Sequence, residues 1–242
     1  MPPIEARKRE LLFAVIREYV KTAEPVGSVT LMERYGIGLS PATIRNELAA
    51  LEEQGLIEQP HTSAGRIPSE RGFQLFIDMI IAERRAHESK LHRRKLQMPD
   101  GASTTEEAVK SVAKEVAEHA QEVVIVAFAP RRLYYTGLSY LFHQPEFQEF
   151  ARVVRFSELI DRLDDVVAEV YPHVGTDVSV WIGRRNPFGN QCGTVIARCA
   201  MGDGHSGAVA IFGPLRMDYE RCIAILDAAQ QLFQETFDAA ER

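Results

Sequence analysis

The feature that most constrains this sequence is a close succession of three short helical patterns within its first 55 residues. Residues 4–22 place apolar side chains at helical spacing beneath a charged face. A second pattern starts at a candidate N-cap, Ser28, and ends at Gly36. The third opens with Ser40 ahead of a proline, a capping residue before the first helical position, and ends at Gly55. Three helices are therefore expected in quick succession.

Two short β-compatible runs come directly after the third helix. LIEQP (56–60) and IPSE (67–70) flank the small and polar loop HTSAGR (61–66), as in a β-hairpin. Three helices followed by a hairpin is the order of a winged helix, a helix-turn-helix variant whose third helix enters the major groove of DNA. The predicted fold class is α+β, with an N-terminal winged helix-turn-helix domain and a second domain that mixes helices with a sheet.

A helical wheel separates two faces of the third helix. Leu48 and Leu51 fall within about 40° of Ile44 at 100° per residue, so we expect all three to face the domain core. The opposite face consists of Ala42, Thr43, Asn46, Ala49, Ala50 and Glu53. Small side chains let the backbone approach base edges, and an asparagine amide can make a two-pronged contact with adenine. The face predicts a DNA-reading surface; the open alternative is an amphipathic core helix.

Side chains beside this face and in the hairpin loop are suited to phosphate oxygens. Thr43 can meet a phosphate or a thymine methyl, and Arg45 is better placed for a phosphate than for a base. No acidic residue occurs from Gln59 to Ser69. The predicted DNA-binding residues are Ser40, Ala42, Thr43, Arg45, Asn46, Ala49, His61, Thr62, Ser63 and Arg66. The alternative for the loop is a solvated hairpin whose glycine serves only the turn.

A turn-forming segment, residues 97–104, divides the chain. We expect a winged-helix domain with a connecting helix at 1–98 and a regulatory domain at 99–242. The whole chain of 242 residues carries a net charge of −6, yet residues 1–96 hold 15 Lys and Arg against 13 Asp and Glu. The negative charge therefore lies in the rear half, which fits a front half that faces nucleic acid.

Helix and strand patterns mix in the rear half. One helix is expected before the boundary, at 69–95. Beyond it the expected helices are 105–121, one or two within 146–171, and 217–238, and the expected strands are 123–129, 177–183, 193–201 and 207–213. Tight glycine-rich links predict that the last two strands pair antiparallel, and the final helix is expected to cover one face of the sheet.

The motifs of catalysis and of metal binding are missing from the sequence. Ser206 does not sit in a nucleophile elbow, and the segment around it lacks the spacing of a phosphate-binding loop. The seven histidines show no paired ligand spacing, and the cysteines Cys192, Cys199 and Cys222 form no CxxC pair. No apolar stretch reaches the roughly 18 residues of a membrane span. We expect a cytosolic protein with reduced thiols, no enzyme activity, no cofactor and no metal.

Several segments together resemble one bacterial family. Residues 40–72, SPATIRNELAALEEQGLIEQPHTSAGRIPSERG, resemble the signature of HrcA, the heat-inducible transcription repressor of chaperone operons. Residues 24–39 are similar to the same family's second helix and following turn. In the rear half, YTGLSYLFHQPEF (135–147), WIGRRN (181–186) and GPLRMDYERCIAILD (213–227) resemble its C-terminal motifs in order.

The resemblance implies a homodimeric winged-helix repressor that binds double-stranded DNA at an inverted-repeat operator upstream of chaperonin genes. It also implies a GAF-like C-terminal domain and regulation in which chaperonin keeps the repressor active until heat diverts it. Family members normally carry an inserted dimerisation domain. Here AFAPRRLYYTGLSY (127–140) runs almost directly from a strand into the family's YTGLS motif, so the C-terminal domain is expected to be reduced.

Two questions stay open at the level of sequence. The apolar row Phe73, Phe76, Ile77 and Ile80 predicts either a dimer seam or the closing side of the winged-helix core. The second domain could instead bind a small molecule that shifts DNA affinity, with Trp181, Arg184, Arg185 and Asn186 at the mouth of its pocket. The alternative function is therefore a ligand-responsive winged-helix regulator.

Overall fold

The computed structural model describes residues 5–62, 64–86, 96–99, 104–202 and 204–240. The chain divides into two compact units, residues 1–88 and 89–242. Across the described ranges, the structure contains no helix with the length and apolar character needed to cross a membrane.

The N-terminal unit contains the three predicted helices, a hairpin and a fourth helix. Its elements are α1 (Ala6–Thr22), α2 (Ser28–Tyr35), α3 (Pro41–Glu53), β1 (Ile57–Glu58), β2 (Ile67–Pro68) and α4 (Glu70–Ala86). Helix α2 begins at Ser28 with Gly27 as its N-cap, one residue earlier than expected. Helix α3 begins as predicted, because the Ser40 side chain accepts a hydrogen bond from the Thr43 backbone nitrogen at 3.2 Å. The predicted helix 69–95 is present to Ala86, and its continuation at 87–95 lies outside the described residues.

The hairpin pairs antiparallel and gains a third short partner. Ile57 faces Pro68 and Glu58 faces Ile67, so each strand contributes two residues. Val26, just ahead of α2, forms an isolated antiparallel bridge with Arg66. A Cβ atom at Gly65 would lie 2.5 Å from the Val26 carbonyl carbon, so glycine is needed there for close approach of two backbone segments. The prediction of a hairpin is confirmed, whereas the expected purpose of Gly65 in the turn is not what the structure shows.

The core of this unit lies between α1, α3 and α4. Its most enclosed apolar residues are Leu11, Leu12, Val15, Ile16, Leu31, Ile44, Leu48, Leu51, Leu56, Phe73, Phe76 and Ile77. The ring of Phe76 meets Phe13 edge to face at a centroid distance of 4.7 Å. Three members of the row on α4 are thus buried inside their own unit, and Ile80 is partly buried. This overturns the dimer seam on that row, because side chains that fill a core cannot also pair two copies.

The C-terminal unit is built on a five-stranded antiparallel sheet with strand order β4-β3-β7-β6-β5. Its elements are α5 (Thr105–Ala120), β3 (Val123–Ala129), β4 (Arg132–Thr136), α6 (Leu138–Phe142), α7 (Phe150–Asp161), α8 (Leu163–Val170), β5 (Ser179–Ile182), β6 (Cys192–Ala200), β7 (Ser206–Pro214) and α9 (Tyr219–Ala240). The expected antiparallel pairing of the last two strands is confirmed. Strand β4 was not expected, because its short run RLYYT follows β3 with only a tight turn between them.

The two faces of the sheet carry different sets of helices. Val123, Ile125 and Ala127 point to the face that packs against α6, α7 and α8. The alternate residues of β3 point to the opposite face, as the two-residue period of a strand requires. Helices α5 and α9 contact each other there, and α9 packs along β6. The prediction that the final helix covers one face of the sheet is confirmed, and the mixed α+β class is found in this unit.

Candidate DNA-binding interface

Helix α3 turns one face into the core and the other to solvent, as the helical wheel predicts. Its inner face consists of Ile44, Leu48 and Leu51, which are buried; its outer face includes Ala42, Arg45, Asn46 and Ala49, which are exposed. The Asn46 amide therefore stands between two methyl-sized side chains one turn before and one turn after it. A surface with so little bulk around one polar group can approach a groove closely.

The start of α3 holds two hydroxyl groups next to each other. Ser40 Oγ lies 2.9 Å from Thr43 Oγ1 and also accepts from the Thr43 backbone nitrogen. Arg45 donates from Nε to the Pro41 carbonyl oxygen at 3.2 Å, which lays the base of its side chain along the first turn. Hydroxyls, a guanidinium and the positive end of the helix dipole thus share one end of α3. This combination suits an anionic partner.

The loop of the hairpin is held from inside by one side chain. Gln59 Nε2 donates to the Thr62 carbonyl oxygen at 3.0 Å and to the Ala64 carbonyl oxygen at 2.9 Å. His61 and Thr62 are exposed. The predicted contact at Ser63 lies outside the described residues. Gln59 was not among the predicted residues; its place beside a loop of small polar residues was the available signal.

Arg66 does not have the position expected of a phosphate-binding side chain. Its Nε and one terminal nitrogen each lie 2.9 Å from Glu52 Oε2, and its side chain is only 19% exposed. The Arg66 backbone is also bonded to that of Val26, at 2.8 and 2.9 Å. Arg66 therefore joins the hairpin to α3 and to the segment before α2. Local sequence could not show this pairing, because the carboxylate lies 14 positions away.

A buried ion pair joins α1 to α2, the two helices that precede α3. Glu18 is buried on α1, where its carboxylate is paired with Arg34 and accepts a hydrogen bond from the Tyr35 hydroxyl at 3.2 Å. Burial, and then the neighbouring Glu18 charge, raise the pKa of Tyr35 above its ordinary value. The hydroxyl thus remains a donor to Glu18 at neutral pH. The helical pattern of α1 gave no sign that Glu18 would lie inside.

Two family models match successive parts of the chain. Residues 14–70, from within α1 to the start of α4, match the DeoR-like helix-turn-helix domain. Residues 80–223 match the HrcA protein C terminal domain, which is more than half of the chain. The chain belongs to the HrcA family.

The relatives support this membership along the whole length. A heat-inducible transcription repressor HrcA from Desulforamulus reducens is 25% identical, over 97% of each chain. The protein of the same name from Moorella thermoacetica is also 25% identical, over 99% of each chain. The repressor HrcA of Thermoanaerobacter sp. strain X514 is 58% identical over a shorter stretch, which covers 33% of this chain and 23% of the relative.

The HrcA relatives contain more chain than this protein does. The alignment with the Desulforamulus protein extends over 338 positions, although this chain has 242 residues. A long part of the relative therefore has no counterpart here. A crystal structure of a hypothetical protein shares the fold, with a TM-score of 0.75 and 18% identity over 98% of this chain and 99% of the other.

The residues expected at the mouth of a ligand pocket do not form one. Asn186 is buried, and its Oδ1 accepts from the Phe188 backbone nitrogen and from the Thr194 hydroxyl, both at 3.1 Å. Trp181 packs against the core of the C-terminal unit. A cavity in this unit has none of Trp181, Arg184, Arg185 and Asn186 in its lining.

Proposed function

We propose that this HrcA-family chain is a DNA-binding transcription repressor of heat-inducible chaperone genes. The observation that carries the proposal is the outer face of α3, where Asn46 stands exposed between Ala42 and Ala49. The leucines of the same helix are buried, so the helix has one orientation in which it can meet a groove.

On this proposal α3 lies in the major groove and Asn46 reads one base. An asparagine amide can accept from adenine N6 and donate to N7, which makes a bidentate contact. Ala42 and Ala49 permit the close approach that such a contact needs. Ser40, Thr43 and Arg45, gathered at the start of the helix, contact the phosphates beside that base.

The hairpin contributes contacts to the flanking backbone. His61, Thr62 and Ser63 supply donors in a stretch without acidic residues, and the two bonds of Gln59 hold the loop in shape. Arg66 supports this arrangement through Glu52 and is not itself a phosphate ligand in the proposal. The loop thus places the protein on the duplex and carries little sequence information.

We propose further that two copies bind an inverted-repeat operator. A two-fold symmetric protein matches two half-sites of opposite direction. Four of the five large hydrophobic side chains that are exposed in the described chain lie between residues 135 and 154: Tyr135, Phe142, Phe150 and Val154. Phe150 is 79% exposed, and Val154 lies one turn further along α7. Phe150 and Val154, on one side of α7, are the proposed contact with the second copy, because exposed apolar side chains favour association.

The remaining parts of the proposal concern regulation and place in the cell. The chain acts in the cytoplasm without catalysing a reaction, chaperonin keeps it active, and heat releases it from the operator. Support for the thermal part is limited to the C-terminal unit, where one carboxylate oxygen of the buried Glu122 has no hydrogen-bond partner among the described residues and so costs stability.

Gel-shift competition tests the central proposal. The family's inverted repeat should displace a labelled copy at far lower concentration than a scrambled duplex does, and Gln54→Ala at the exposed end of α3 should leave that difference unchanged. Equal competition by both duplexes would contradict it. Light scattering tests the dimer: Phe150→Glu should give monomers, whereas Val29→Glu, an exposed apolar position on α2, should not.

A further inference from the structure

The C-terminal unit contains a cavity beside α7. It lies between the 3-10 turn Pro145–Gln148, helix α7 and the segment 188–192, and its volume is about 120 Å³. An engineered apolar cavity of roughly 150 Å³ in another protein admits benzene, so this space is of the order that one aromatic ring requires. It lies in a different unit from the DNA-reading face and needs no part of it.

Three phenylalanines and a leucine give the cavity an apolar wall: Phe147, Phe156, Phe188 and Leu159. Asn190 and Gln191 also line it. The rings of Phe147 and Phe156 meet edge to face, with centroids 5.8 Å apart, so the wall has a defined shape. An apolar cavity costs stability in proportion to its volume, because the groups that line it lack packing partners on one side. An apolar body in this space would recover those contacts.

Two arginines stand at the rim of the same cavity. Arg152 donates from Nε to Glu149 Oε2 at 3.1 Å, on a carboxylate that is itself largely exposed. Arg155 is exposed and makes no ion pair with any residue that the structure describes. A guanidinium binds a carboxylate through two parallel hydrogen bonds. The rim is therefore able to hold an anionic group while the walls hold an apolar one.

The other ionisable groups at the cavity do not oppose an anion. The Glu146 carboxylate is bound by Arg216, whose second terminal nitrogen lies 3.0 Å from Glu146 Oε2. Burial raises the pKa of Cys192 to about 12, so its thiol stays uncharged at neutral pH. Arg152 is paired with the Glu149 carboxylate, so the net positive charge presented to the cavity comes from Arg155.

We infer that this cavity binds a small monocarboxylate with a compact apolar body, of the benzoate type, with the ring between the phenylalanines and the carboxylate at the two arginines. The site would give the C-terminal unit a way to sense a metabolite. Because it does not involve α3, binding can be tested without DNA and without any assumption about the operator.

Isothermal titration of the full-length protein with sodium benzoate tests the inference. Benzoate should bind one site per chain with a dissociation constant of about 1 mM or tighter. Benzyl alcohol and benzylamine keep the ring and replace the carboxylate with a neutral or a cationic group. Each should bind at least about tenfold more weakly, since the arginines recognise the charge.

Two arginine variants locate the site. Arg155→Gln should weaken benzoate binding about tenfold and leave benzyl alcohol binding unchanged. Arg162→Gln, at the end of the same helix but away from the cavity, is the matched control and should bind benzoate as the parent does. The emission of Trp181, the only tryptophan, shows that each variant keeps a folded C-terminal unit.

Three results would overturn the inference: no heat of binding up to about 10 mM benzoate, equal binding of benzoate and benzylamine, or benzoate binding by a folded Arg155→Gln variant that equals the parent's. None of these would affect operator binding. Conversely, a chain that fails to recognise the inverted repeat while it binds benzoate as expected would refute the DNA-binding proposal and leave the cavity site standing.

Discussion

The two units differ in where their polar groups lie. In the N-terminal unit the core is apolar apart from Glu18, which is paired with Arg34 and Tyr35, and the polar groups proposed for function are exposed. In the C-terminal unit, Glu122 is buried with one carboxylate oxygen that has no hydrogen-bond partner, and the same unit contains a cavity of about 120 Å³. One unit is packed to hold a surface rigid, and the other contains internal features that a ligand or a proton can alter.

Gly65→Ala should produce the largest difference in stability between the two units. Gly65→Ala places a Cβ atom 2.5 Å from the Val26 backbone, which cannot move aside without losing its bridge to Arg66. We expect a loss of about 3 kcal/mol in the stability of the N-terminal unit and loss of operator binding. Circular dichroism follows the helices of both units, and Trp181 emission follows the C-terminal unit alone. Part of the helical signal should therefore be lost at a lower temperature than in the parent, while the Trp181 transition stays in place.

Gly38→Ala is the control for that substitution, since a Cβ atom there meets nothing within 4 Å. It should leave both melting transitions in place. If Gly65→Ala lowers the midpoint of the Trp181 transition as much as that of the helical signal, the two units unfold together, which contradicts the difference between them.

The buried Glu122 should make the stability of the C-terminal unit depend on pH. Burial raises the pKa of Glu122 well above its ordinary 4.5, with Arg216 opposing that shift. The folded state therefore keeps a proton that the unfolded chain releases above about 4.5, so stability is highest below that pH and falls as pH rises through the folded pKa. At pH 8, Glu122→Gln should increase the free energy of unfolding of the C-terminal unit by roughly 1–2 kcal/mol, measured as a higher melting temperature of the Trp181 signal. The effect at pH 5 should be smaller.

Glu158 is an exposed carboxyl on α7, so Glu158→Gln is the control for that experiment and should leave the stability unchanged at both pH 8 and pH 5. A Glu122→Gln protein that melts lower than the parent at pH 8 would mean that the carboxylate is charged and favourable in the fold, which is incompatible with a raised pKa.

The smallest effects are expected from replacing Arg45 on α3 and Arg66 in the hairpin. Arg66→Ala breaks a partly buried ion pair with Glu52, so it should cost about 1 kcal/mol of stability in the N-terminal unit. Arg45→Ala should leave stability unchanged but reduce the slope of log affinity against log salt by about 1, since one phosphate contact is lost. A flatter salt slope for a folded Arg66→Ala protein would restore Arg66 to the phosphate-binding set.

Local patterns predicted the N-terminal unit well because its signals are short in range. The Ser40 cap, the buried Ile44, Leu48 and Leu51, and the left-handed Gly55 just beyond the end of α3 all follow from neighbours within a few positions. What the sequence could not show were contacts between distant positions, such as Glu52 with Arg66 and Gly65 against Val26. Contacts between residues distant in sequence form only when the chain folds, and no periodic pattern of the sequence indicates them.

The C-terminal unit was predictable in its elements and not in its interior. Alternation and apolar runs gave β3, β6 and β7 and the final helix within a few residues. Strand β4 was missed because five residues after a tight turn give too short a pattern. The four residues that the ligand-responsive alternative placed at a pocket, including Trp181 and Asn186, are not at the cavity, because a pocket is formed by segments far apart in sequence.

The most direct test of the proposed reading face is the specificity of Asn46→Ala. Affinity for the inverted-repeat operator and for the same duplex changed at one base pair should be measured for the parent and for the variant. The variant should lose about 1–3 kcal/mol on the operator and should no longer distinguish the changed base pair, while its affinity for scrambled DNA stays the same. Equal losses on operator and scrambled DNA would show that Asn46 reads no base, and would contradict the account.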